Sequence, residues 1–188
     1  MKINKAMILA AGIGSRMQPL TLKIPKPLMK IGKKNLLERS ISLLVEHGVK
    51  EIVINVHHLA DQIKDFINNK DLKTKIIISD EKNELLDTGG GIFKGTESFG
   101  EDPFVVINPD TVWSSLYKNE LNLLEQLYTK NKKTCLLVVD KSLSYDPSFK
   151  GDFNVDGDNR ISRNNTNQFI FTGMQIFNRK IFKKNEKF

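Results

Sequence analysis

The sequence predicts an α/β fold built on a mostly parallel β-sheet with helices on both faces. Short apolar runs alternate with longer amphipathic runs as far as Asp140, the rhythm of a chain that crosses a sheet through helices. The first apolar run ends directly in a glycine-rich turn, Gly12-Ile-Gly14. In such sheets this is where ligands meet the strand ends.

Each element has its own signal. Lys5 to Ala10 reads as a fully buried strand. Asn35 to His47 reads as a helix, with Leu36, Leu37, Ile41, Leu44 and Val45 on one face and Gly48 as its stop. Glu51 to Val56 is the next strand. Leu59 to Asn69 follows as a helix, with Ile63, Phe66 and Ile67 at helical spacing. Lys75 to Ser79 is a third strand, and Gly91 to Phe99 a short helix opened by the triplet Gly89-Gly90-Gly91. Phe104 to Asn108 is a strand, Leu116 to Lys130 a helix and Thr134 to Asp140 a strand. Beyond Asp140 the rhythm changes. Strand-like pieces at Phe153 to Val155 and Phe169 to Phe177 flank turn-rich segments, and are expected to make an excursion on the sheet's edge.

A chain of 188 residues fits a single domain, residues 1–188, able to bury a real core. The formal charge of +7 is basic. Its lysines are scattered, however, from Lys23 through Lys130 to Lys180, Lys183, Lys184 and Lys187, and no interleaved basic–aromatic motif appears, so neither a nucleic-acid nor a membrane partner is expected. The single cysteine, Cys135, rules out an internal disulfide and reads as a buried, inert thiol. No apolar run reaches the length of a membrane span or a signal-peptide core, so the expected address is the cytoplasm.

The strongest chemistry lies in Met7-Ile-Leu-Ala-Ala-Gly-Ile-Gly-Ser-Arg16, continuing through Pro19 to Pro25-Lys26-Pro27. Backbone amides after a buried strand can close on phosphate oxygens where glycines leave room. Met17 stands where a dinucleotide-binding loop needs its third glycine, and no Gly-Lys-Ser/Thr follows, so neither standard phosphate loop fits. Arg16 and the proline-flanked Lys26 instead supply two cations suited to a triphosphate whose leaving pyrophosphate gains charge.

A second constellation is Glu81 with Leu86-Asp-Thr-Gly-Gly-Gly-Ile92, where bare backbone can face a flat polar ring. A third is Phe104-Val-Val-Ile-Asn-Pro-Asp110, which delivers a carboxylate at the end of a buried strand. His57 and His58 are adjacent on a strand end and point apart, a poor metal pair. His47, near a helix C-terminus, occupies a common structural position.

Together, Leu9-Ala-Ala-Gly-Ile-Gly-Ser-Arg16, Pro19 and Pro25-Lys26-Pro27 resemble the signature of the nucleoside-diphosphate-sugar pyrophosphorylases, nucleotidyltransferases of Rossmann-like fold. Later segments are most similar to the N-acetylmuramate α-1-phosphate uridylyltransferases. The resemblance implies an enzyme that joins a nucleoside triphosphate to a sugar 1-phosphate and releases pyrophosphate with Mg²⁺, in cell-wall sugar recycling or another nucleotide-sugar supply. UTP with N-acetylmuramic acid 1-phosphate is the favoured pair. A mannose- or heptose-1-phosphate guanylyltransferase and a catalytically silent nucleotide-sugar-binding module are the alternatives. It also implies that Ala11, Gly12, Gly14, Ser15, Arg16 and Lys26 hold the triphosphate, and that Glu81, Gly89 and Gly90 surround the base. Asp110 would bind Mg²⁺, and Asn108 and Asp152 the sugar phosphate, although Asp152 reads equally as a turn cap. Trp113 fits either the aromatic that follows the metal aspartate or a core residue, and Thr172-Gly-Met174 resembles the substrate-pocket edge.

The pattern departs from the family in two places. Pro109 replaces a usual glycine, which removes a donor and restricts Asn108. The family also continues into a helix and a strand bearing a second metal-binding aspartate. This chain has no counterpart, so a C-terminally shortened domain with a one-carboxylate metal site is expected.

Overall fold

The computed structural model describes residues 2–82 and 84–182. Lys183, Lys184 and Lys187 lie outside the described residues. The elements run β1 (Lys5–Leu9), β2 (Lys30–Ile31), β3 (Lys34–Asn35), α1 (Leu36–His47), β4 (Glu51–Val56), α2 (Ala60–Asn68) and β5 (Lys75–Asp80). They continue with α3 (Thr88–Gly95), β6 (Phe104–Ile107), α4 (Lys118–Asn131), β7 (Cys135–Asp140), β8 (Asn154–Val155), β9 (Ile161–Ser162) and β10 (Phe169–Phe177).

The central sheet has the order β5-β4-β1-β6-β10-β7. β1 pairs in parallel with β4 and β6, and β4 with β5, while β10 is antiparallel to both neighbours. Strand periodicity divides β1 between two cores. Ala6 and Ile8 pack with Leu37, Ile41 and Leu44 of α1, Ile63 of α2 and Leu121 of α4. Met7 packs on the opposite face with Ile92 of α3, Phe99 and Phe104. Burial on both faces is why these strands read as unbroken apolar runs. The fold is thus α/β, mostly parallel and covered on both faces.

Helix limits follow local chemistry. The Asn35 side chain accepts the Glu38 amide at 2.7 Å and starts α1, and Gly48 ends it at φ 103°. Cys135 is buried, and burial pushes its thiol up, which keeps it protonated and inert.

Two expectations are corrected. The glycine triplet does not precede its helix. Gly89, Gly90 and Gly91 lie inside α3, which starts at Thr88, and a 3₁₀ turn covers Glu97–Phe99. The last segment is also not an excursion at the edge. β10 is inserted between β6 and β7, and within this segment the β8–β9 hairpin stands apart as a two-stranded sheet. Its apolar residues marked the strand, but not its place in the order, which depends on contacts far apart in sequence.

Candidate active site

The chain leaves β1, builds β4 and β5 on one side, and returns to β6 on the other. Adjacent loops therefore diverge at the C-terminal ends of β1 and β6 and open a crevice. A cleft of about 500 Å³ lies there, lined by Leu9–Gly12 and Gly14–Met17 from the end of β1 onward, Lys26 and Pro27, Asn55 of β4, Leu85–Thr88 leading into α3, and Asn108–Asp110 after β6.

The glycine loop is held from outside the cleft. Gly14 has φ 69°, and a Cβ there would lie 2.8 Å from the Thr21 methyl. The Thr21 hydroxyl donates to the Gly14 carbonyl at 2.9 Å, and His58 Nε2 bonds the Thr21 carbonyl at 2.7 Å. Among the described residues, the amides of Gly12, Ile13, Gly14 and Ser15 have no protein acceptor. Such unspent donors can receive an anion.

Lys26 Nζ lies 2.6 Å from Asp110 Oδ2, joining the proline-flanked loop to the end of β6. Asp110 follows a tightly held corner. The Asn108 amide donates to the Gly173 carbonyl at 2.8 Å, Trp113 Nε1 donates to the Asn108 carbonyl at 2.7 Å, and the Thr111 hydroxyl reaches the Thr172 carbonyl at 2.8 Å. Trp113 is fully buried, so of its two readings the structure places it in the core.

Of the residues singled out in the sequence, Ala11, Gly12, Gly14, Ser15, Arg16, Lys26, Asn108 and Asp110 share this cleft. Glu81, Gly89, Gly90 and Asp152 are not among its lining residues. Glu81 is 1% exposed, and its carboxylate accepts from Asn55 Nδ2 at 2.8 Å and from the Leu86 amide at 3.1 Å. Asp152 accepts the Phe171 amide at 2.8 Å, next to the β10 segment that braces Asn108. His57 and His58 turn to different carbonyls, those of Glu81 and Thr21.

Sequence reasoning missed Asn55, Thr21 and Leu85. Asn55 was hidden within an ordinary strand run, and Thr21 between the two recognisable halves of the glycine–proline motif.

Among the described residues, no three His, Cys, Asp or Glu side chains form a group that would hold a metal alone. Asp87 and Asp110 are the carboxylates lining the cleft. One carboxylate fits Mg²⁺ arriving on a triphosphate, because this ion is commonly held by one or two protein carboxylates with phosphate and water.

The chain is similar in sequence and in fold to known proteins. N-acetylmuramate alpha-1-phosphate uridylyltransferase of Caulobacter vibrioides is 40% identical over 111 residues, 57% of this chain and 46% of that protein. The match thus spans less than half of that relative's length. The enzyme of the same name from Neisseria meningitidis is 32% identical over 185 residues, covering 95% of this chain and 77% of its own. The crystal structure of HddC from Yersinia pseudotuberculosis complexed with GMP-PN superposes with a TM-score of 0.76 at 26% identity, covering 98% of this chain and 81% of that one. The sequence pattern that defines the nucleotidyl transferases matches residues 5–187, and with the cleft built at the ends of β1 and β6 it gives the assignment: the chain belongs to the nucleotidyl transferase family.

Proposed function

We propose that this chain is the nucleotide-binding and sugar-phosphate-binding domain of a Mg²⁺-dependent sugar-1-phosphate nucleotidyltransferase, with UTP and N-acetylmuramic acid 1-phosphate as the favoured substrates. The observation that carries this reading is the meeting of a glycine loop, two cations and a carboxylate in one cleft, with Lys26 and Asp110 2.6 Å apart and Arg16 in the same lining. The name shared by the Caulobacter and Neisseria relatives favours this pair of substrates.

In the proposed reaction, a phosphate oxygen of the sugar 1-phosphate attacks the α-phosphorus of the triphosphate. The new O–P bond forms as the bond to the β-phosphate oxygen breaks, and the electron pair leaves with pyrophosphate. The free amides of the glycine loop cradle the triphosphate. Arg16 and Lys26 stabilise the charge that develops on the leaving group, a role in which positioned cations count most. Mg²⁺ held by Asp110 and the phosphates would neutralise charge between the two anionic substrates. The sugar phosphate is itself the nucleophile, so no residue need form a covalent intermediate.

A guanylyltransferase is the second reading, favoured by the HddC structure with GMP-PN. Pyrophosphate release should be measured with UTP and N-acetylmuramic acid 1-phosphate, and with GTP and mannose 1-phosphate. Release with the first pair supports the favoured reading. Release with the second alone moves the assignment to guanylyl transfer, and triphosphate binding without any release marks a silent binding module. Asp110→Ala is expected to lower turnover at least about a hundredfold while the fold persists, as for removal of one preorganised charged group. Undiminished release by that variant would refute Asp110's role.

A further inference from the structure

The geometry points to Asn55 as a positioning residue that locks the phosphate-facing and opposite walls of the cleft together, so that the Asn55–Glu81 pair sets base selectivity without touching the base. This inference rests on the nucleotidyltransferase reading above.

Asn55 stands beside Leu9 in the β1–β4 register and is 4% exposed at the floor of the cleft. A buried amide is costly unless both of its ends are satisfied. Its Oδ1 accepts the Ala10 amide at 2.8 Å, and its Nδ2 donates to Glu81 Oε1 at 2.8 Å. These partners fix which end is which. A backbone N–H must donate and a carboxylate must accept, so a flipped amide would lose both bonds.

The second carboxylate oxygen of Glu81 accepts the Leu86 amide at 3.1 Å. The resulting chain is Ala10 amide, Asn55, Glu81, Leu86 amide. It begins at the root of the glycine loop and ends in the Leu85–Thr88 segment, which lines the same cleft and would lie against a nucleotide held there. The first turns of α3 lie directly on the pair. A Cβ at Gly91 would sit 2.8 Å from Glu81 Oε1 and 3.0 Å from Asn55 Nδ2. Gly91 is thus explained by the close approach of the helix to this relay, and any shift in the pair moves the start of α3.

The relay can be rewired without changing its charge. Asn55→Asp sets two carboxylates against each other. Glu81→Gln leaves either Asn55 Nδ2 or the Leu86 amide facing another N–H. The double variant Asn55→Asp/Glu81→Gln restores every bond: the Asp accepts from Ala10 and from the Gln amide, whose oxygen accepts from Leu86.

The test titrates UTP, CTP and GTP calorimetrically into each variant with Mg²⁺, and measures pyrophosphate release with sugar 1-phosphate in parallel. Each single variant is expected to lower the ratio of preferred to non-preferred triphosphate affinity about tenfold, the equivalent of one hydrogen bond. The double variant should return to the wild-type ratio. A purely structural pair would lower the melting temperature and scale all triphosphates alike.

Wild-type selectivity in folded single variants overturns the relay while leaving the nucleotidyltransferase reading intact. If the single variants do not fold, Gly91→Ala, whose Cβ would press on Glu81 Oε1 and Asn55 Nδ2, takes their place. A shifted selectivity in it supports the relay, and wild-type selectivity overturns it. A wild type that neither binds a triphosphate nor releases pyrophosphate overturns both readings.

Discussion

At the residue scale, Lys26 and Asp110 face each other at 2.6 Å with side chains 28% and 42% exposed. An ion pair so open to water contributes about 0–1 kcal/mol, so its value to the fold is small. Its consequence is electrostatic. In the proposed reaction, each partner would satisfy the other until a metal-bearing triphosphate offered both a stronger counter-charge. Asp110→Asn is therefore expected to leave the melting temperature nearly unchanged and to raise affinity for metal-free triphosphate about fivefold, because Lys26 is released and a negative charge removed. Calorimetry in the presence of a chelator checks this, and weaker binding by the variant would contradict it. The meeting of Arg16, Lys26 and Asp110 in one cleft follows from motifs that set charge just after buried strands or between two prolines. Asn55 and Thr21 were not legible in the sequence, because their meaning lies in partners 45 and 7 residues away that only the fold brings into contact. Glu81 was recognised as belonging to the second constellation, but a sequence does not state which way a carboxylate turns. This one turns inward.

At the element scale, β10 carries the most consequential irregularity. Its pairing with β7 moves from Phe171↔Val138 to Gln175↔Leu136, so four residues of β10 answer two of β7. The bulge holds Gly173 at φ 89°, and its carbonyl accepts the Asn108 amide. A Cβ at Gly173 would approach Asn108 Cβ to 2.8 Å. Gly173→Ala is expected to cost about 1–3 kcal/mol from backbone strain, and further to displace Asn108 from the cleft. Denaturant unfolding would read the first effect and a raised KM for sugar phosphate the second. A variant with wild-type stability and KM would show that the bulge does not brace the corner. The strand character of Phe169 to Phe177 was readable in its residues, whereas its insertion between β6 and β7 was not. Strand order is decided by which edge the returning chain can reach, and neighbouring residues do not encode that choice. α1 was legible to within a residue because Asn35 and Gly48 are local signals with local causes.

At the scale of the whole molecule, the cleft opens at the C-terminal ends of β1 and β6, and a buried polar cluster holds the beginning of the chain near the other end of β1. Glu125 of α4 accepts the Ile3 amide and lies 3.0 Å from His47 Nε2 and 3.7 Å from Lys2 Nζ. The cluster thereby ties α4, the end of α1 and the entry to β1. Burial lowers the pKa of His47, the Lys2 charge lowers it further, and Glu125 opposes both. The unfolded chain, with histidine near pH 6.5, then binds more protons than the native state in the window just below that value. Stability linked to His47 is fully present above the unfolded pKa and falls as pH drops through 6.5 toward the depressed native value. Urea unfolding of wild type and His47→Asn between pH 7.5 and 5.5 isolates this contribution from the surface carboxylates, which titrate lower. Wild type should lose stability across the window more steeply than the variant. Equal slopes would show that His47 is not the linked group. Because the cluster and the cleft lie at different ends of β1, triphosphate affinity at pH 7.5 should be the same in both proteins, separating what holds the sheet together from what the sheet presents.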